Sequence, residues 1–132
     1  MSMKELHALG HPLLENSVLD RLRDGDDNDS DIWRLFIRNY IGLLPRRIER
    51  VRLCLTSADF EGAMDSVLSL RSSSEMVGAE RLAALTGHLQ AALRTASEHD
   101  VATALPGIAR AHLDDLSRCA IQTKNRLLQV LS

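Results

Sequence analysis

The chain is poor in the residues that turn or cross-link a backbone. Its 132 residues include seven Gly, three Pro and two Cys. So few turn formers do not suit the winding path of a β-sandwich or barrel. Cys54 and Cys119 sit inside apolar runs, at no spacing that suggests a metal knuckle or a disulfide framework, and read as reduced core thiols. Aromatic residues make up 3%, namely Trp33, Phe36, Tyr40 and Phe60, so the core must be aliphatic. No stretch approaches the roughly 20 consecutive apolar residues that span a bilayer, and the first residues lack the apolar core and cleavage site of a secretory signal. A cytoplasmic protein that does not engage membranes is the expectation. A formal net charge of −2 argues against a general nucleic-acid binder, which usually needs a basic excess. No repeat of 20 to 50 residues appears, which excludes a solenoid.

What is present is helical pattern. Hydrophobic residues at 45% and charged residues at 26% fit one soluble globular domain with a single core. Residues 1–12 read as a loose lead-in and 13–132 as one domain. A short helix from about Pro12 to Arg23 would bury Leu13, Leu14, Val18, Leu19 and Leu22. The acidic run Asp24–Asp31 ends it, and Ser30 or Asp31 can cap the next helix. That helix carries Ile32, Leu35, Phe36, Tyr40, Leu43, Leu44, Ile48, Val51 and Leu55 at helical spacing, with Pro45 either kinking it or starting another. After Thr56–Asp59, where Ser57 is a candidate cap, a helix from Asp59 to about Ser74 buries Phe60, Ala63, Val67 and Leu70. Beyond the break at Met76–Gly78, Ala79–Ala96 is amphipathic on Leu82, Leu85, Leu89 and Leu93. The last helix spans about Val101 to Leu131 on Leu113, Leu116, Ala120, Thr123, Leu127 and Val130, with Pro106 and Gly107 able to delay its start. Four or five helices with short connections predict an all-α, up-down antiparallel bundle.

The informative stretch is Val67-Leu68-Ser69-Leu70-Arg71-Ser72-Ser73-Ser74-Glu75-Met76-Val77-Gly78-Ala79-Glu80-Arg81-Leu82. It resembles the signature of the histidine-containing phosphotransfer (HPt) domain of bacterial phosphorelays, which reads approximately A-H-x-L-K-G-S-S-x-x-x-G-A-x-x-L. Leu70, Arg71 (for the usual Lys), Ser73, Ser74, Gly78, Ala79 and Leu82 fall in register without a gap. Phe36, Tyr40, Leu43-Leu44-Pro45 and Ala58-Asp59-Phe60 match the preceding helix and its junction, and the likeness covers roughly residues 14–95. The resemblance implies a four-helix bundle of HPt type with a short extra N-terminal helix. It further implies a role in two-component signalling, with a response-regulator receiver domain or a sensor histidine kinase as partner.

Two departures bear on activity. The phosphoacceptor His of the family falls on Leu68, and the small Gly four residues later falls on Ser72. Leucine has no lone pair to attack a phosphoryl group, so a catalytic residue is not expected at this position. The expected function is that of a non-enzymatic pseudo-phosphotransfer module needing no cofactor. Helical geometry groups Ala63, Val67, Leu70 and Ser74 on a buried side and Met64, Leu68, Arg71, Ser72 and Glu75 on an outward side. The second group is the candidate partner-binding face, with Leu68 and Met64 partly exposed.

Other readings rest on fewer residues. His88 or His112 could serve as an alternative phosphoacceptor, though His112 lacks a following cation and His88 directly precedes a core leucine. Ser69, Ser72, Ser73 and Ser74 have no His or carboxylate within the preceding turn to activate them, apart from Asp65. A structural bundle that forms a homodimer through Leu68 and Met64 is a further alternative. His7 and His11 are four apart, yet Gly10 and Pro12 argue against a helical metal pair. The run Asp24, Asp26, Asn28, Ser30 begins like a calcium loop, but Asp29 replaces its Gly and Leu35 its closing Glu. No metal site is expected. Arg46, Arg47, Arg50 and Arg52 read as a solvated basic face able to steer an acidic partner.

Overall fold

Aliphatic residues repeating every three or four positions can be buried together only if each helix lays its stripe against another. The computed structural model describes residues 10–24 and 31–132. It is all-helical in these residues, with α1 (Asn16–Asp24), α2 (Asp31–Thr56), α3 (Phe60–Met76), α4 (Glu80–Ala96) and α5 (Val101–Leu131). Each of the four longer helices packs against its chain neighbour, and α5 closes the ring against α2. One core runs through the ring, built around Ile37, Val51, Leu55, Val67, Leu70, Leu82, Leu89, Leu93, Leu105, Leu116 and Leu127. None of the described helices is long and apolar enough to cross a membrane.

The connections are short because their chemistry is complete. After α2, the amides of Ala58 and Asp59 donate to Leu55 O and Cys54 O, with Ala58 in the left-handed region at φ 58°. After α3 the same pattern recurs: Gly78, at φ 76°, and Ala79 donate to Glu75 O and Ser74 O. Both are Schellman turns, which satisfy the last carbonyls of one helix and point the chain back toward the next. Asp59, rather than the expected Ser57, caps α3 by accepting a hydrogen bond from the Gly62 amide at 3.0 Å. Ser57 instead donates to Leu53 O and closes α2.

Pro45 does not start a second helix, since α2 runs as one helix from Asp31 to Thr56. Pro106 likewise lies inside α5, which begins at Val101 without delay. The inward face of α2 differs in part from expectation. Ile32, Leu35 and Leu43 are exposed, and Trp33 and Ile37 are buried in their place. Trp33 also sits between two cations, with the guanidinium of Arg23 5.0 Å and that of Arg34 4.7 Å from its ring centroid, which ties α1 to α2. α1 begins at Asn16 rather than near Pro12; within it only Leu19 is buried and Val18 and Leu22 are half-buried, as are Leu13 and Leu14 before it. Residues 25–30, with the candidate cap Ser30 and most of the calcium-like spacing, lie outside the described residues, as do most of the lead-in and His7, whereas Asp31 is the first residue of α2.

Candidate functional site

The site is built on α3, where a two-sided helix separates packing from presentation. Ala63, Val67, Leu70 and Ser74 face inward and are buried. Ser74 would be a lone hydroxyl in an aliphatic core, but its Oγ lies 2.7 Å from the phenol oxygen of Tyr40 on α2. Burial pushes the Tyr40 hydroxyl up to about 12, and the Ser74 hydrogen bond moderates that rise.

On the outward side, Leu68 is 42% exposed. Ser72 and Glu75 are also exposed, one turn and two turns further on. Met64 does not stand free: it is half-buried and packs against the core. Arg71, expected to present its charge on the same face, leans sideways across α4. Its Nε donates to Glu75 Oε1 at 3.0 Å and its Nη1 to Oε1 of the buried Gln90 at 2.8 Å. The crossing passes over Gly87, where a Cβ would sit 3.6 Å from the Arg71 guanidinium carbon, an ordinary van der Waals contact. Arg71 is thus a strut between α3 and α4 with its charge matched locally by Glu75.

The turn that follows carries a second set of contacts. Gly78 donates no side chain, and a Cβ there would meet Glu15 O at 2.9 Å and Val18 Cβ at 3.0 Å. Through this gap Glu15 N donates to Gly78 O at 2.7 Å, and Arg81 Nε reaches His11 O at 3.1 Å. The chain before α1 is therefore pinned beside the candidate face. A cavity of about 520 Å³ opens there, lined by Glu15, Val18 and Arg21 on one wall and by Arg71, Glu75 and Ala83 on the other.

The remaining candidates sit elsewhere. His88 on α4 and His112 on α5 are half-buried. Of the serines, Ser73 donates to Leu70 O within its own helix, and Ser69 is exposed. Asp65, the one carboxylate in the turn preceding Ser69, is held by Arg50 at 2.7 Å across the α2–α3 seam. That contact favours the charged form of Arg50. Arg52 pairs with Glu49 at 3.2 Å, so the basic face of α2 is partly neutralised. Cys119 is buried, its thiol pushed up by desolvation, and Cys54 is half-buried, consistent with two free core thiols. Among the described residues no group of three or more His, Cys, Asp or Glu could hold a metal ion.

No family model matches the chain, and no curated protein or solved structure matches it either.

Proposed function

We propose that the chain is a degenerate HPt-type domain, its four longer helices an antiparallel bundle with α1 as the extra N-terminal helix. It acts in two-component signalling by binding a receiver or kinase domain without taking its phosphoryl group. The observation that carries this reading is Leu68, an exposed leucine at the register where the family pattern has its phosphoacceptor His.

The residues around it support the reading through physical roles of their own. The pattern's Leu70, Ser74, Ala79 and Leu82 are all buried, and Gly78 holds the left-handed turn between the two helices. Most of the positions that match build a scaffold, and the two departures at 68 and 72 fall on the outward face. A phosphohistidine carrier also needs a cation free to steady the phosphoryl oxygens. Arg71 is bonded to Glu75 and Gln90, but its side chain stays 42% exposed one turn from position 68, so a cation is retained there for an introduced histidine. An exposed leucine can still anchor a partner: its full burial contributes roughly 1.5–3 kcal/mol.

The test is incubation with a phosphorylated receiver domain, followed by assay for acid-labile label. The wild-type protein should acquire none. Leu68→His combined with Ser72→Gly should acquire label, since the scaffold then matches the pattern. Label on the wild-type protein that disappears with His88→Ala or His112→Ala would overturn the reading in favour of an active carrier.

A further inference from the structure

A second surface lies on the far side of α2, where it packs against α5. Between these helices runs a groove of about 260 Å³ lined by Leu44, Pro45, Ile48, Ala120, Ile121 and Lys124. The lining is almost wholly apolar because Pro45 and Ala120 put short side chains where longer ones would close the gap. Ile121 stands at its lip 60% exposed, and Leu128, two turns further along α5, is 45% exposed. A soluble chain rarely leaves such a row uncovered without a use for it.

The charge along the groove is mostly positive, and the carboxylates of Glu49 and Asp115 just beyond its end are paired with Arg52 and Arg118. From Ile32 to Ile48 and from Leu116 to Ser132 there is no Asp or Glu, while Arg34, Arg38, Arg46, Arg47, Arg118, Lys124 and Arg126 lie there, in a chain whose net charge is −2. These two stretches pack together, as the hydrogen bond from Arg34 Nη1 to Leu131 O at 2.7 Å shows. Several of the cations are occupied: Arg34 holds that carbonyl and stacks on Trp33, and Arg118 pairs with Asp115 at 2.6 Å. Arg38, one turn before Ile41 and two before Pro45 on the same face, and Lys124, at the groove itself, are exposed and not ion-paired among the described residues.

We infer that the α2–α5 groove is a docking site for an acidic amphipathic helix of a partner protein. Its apolar side chains would fill the groove over Ile121, and its carboxylates would meet Arg38 and Lys124. A recess between two helices receives the ridge of a third, whereas a bilayer presents a flat face and nucleic acid offers phosphates without an apolar anchor. The groove is separate from the Leu68 face, which is carried by α3, so the two surfaces can be occupied independently.

The probe is a fluorescein-labelled helical peptide with leucines along one face and glutamates on the others, titrated by anisotropy. Wild-type protein should bind it. Ile121→Ser and Lys124→Glu should each weaken binding by about tenfold or more, and Leu68→Glu should leave it unchanged. A peptide of the same composition with its leucines scattered should bind about tenfold less tightly. Both substituted side chains are exposed, and circular dichroism checks that the variants fold. The inference is overturned if the peptide does not bind, if binding ignores Ile121 and Lys124, or if it is lost with Leu68→Glu. It is equally overturned if the same variants instead abolish binding to phosphatidylglycerol vesicles, binding to duplex DNA, or self-association in sedimentation.

Discussion

Ala58 and Gly78 occupy the same position in two copies of one turn, and only one of them is suited to it. A left-handed residue with a Cβ costs about 1–2 kcal/mol, a cost glycine escapes. Ala58→Gly should therefore raise stability by about 0.5–1 kcal/mol after the added freedom of the unfolded chain is subtracted. Gly78→Ala should lower it by more than that gain, because the new methyl also meets Glu15 O at 2.9 Å. Urea unfolding of both variants measures the pair, and equal effects of the same sign would contradict the turn geometry. Tyr40, the chain's only tyrosine, offers a second measurement. Its folded-state value of about 12 lies above the ordinary 10.0, so the folded protein holds this proton more tightly than the unfolded chain does. The stability it contributes is fully present below pH 10.0 and is lost as pH rises toward about 12. Tyrosinate absorbance should titrate near the upper value in folded protein and near the lower in urea. Titration at the lower value in both states would show that the phenol is not buried. Neither feature was legible in the sequence. An Ala in a Schellman turn carries no mark of its own, and the Tyr40–Ser74 bond joins residues 34 apart.

At the scale of helices, most boundaries were readable because turn chemistry announces them. The turn at Gly78 and the loop at Ser97–Asp100 both fall between helices. The inward face of α2 was harder to read. Ile32, Trp33, Leu35, Phe36 and Ile37 are nearly continuous apolar residues, so periodicity alone does not choose among neighbouring faces. Pro45 left two outcomes open, and packing decides between them. A proline in a helix interior costs about 3 kcal/mol. Burial of Leu44, Ile48, Val51 and Leu55 around it contributes roughly 1.5–3 kcal/mol each and outweighs that cost. The two faces of α3 make a direct contrast. Leu70→Ala should destabilise by about 2–5 kcal/mol through the cavity it leaves, whereas Leu68→Ala should change stability by less than about 0.5–1 kcal/mol. Chemical denaturation distinguishes them, and comparable losses would mean that Leu68 belongs to the core.

The whole molecule joins a scaffold whose pattern residues are spent on packing to two surfaces that packing does not require. One is the α3 face, where Leu68 and Ser72 stand exposed beside an Arg71 already matched by Glu75 and Gln90. The other is the α2–α5 groove with its mostly basic border. The helical class and the exposure of Leu68 follow from sequence spacing alone. The inward lean of Arg71 and the segregation of charge between helices depend on which helices become neighbours, and spacing within one helix does not encode that. The reading of the α3 face as a grip without chemistry is tested most directly by calorimetric titration of receiver domains into wild-type protein and Leu68→Glu. Wild type should bind at least one receiver, and the charged variant, equally stable, should bind it about tenfold more weakly or worse. Equal affinity for both proteins, or no affinity of the wild type for any receiver or kinase domain, would contradict it.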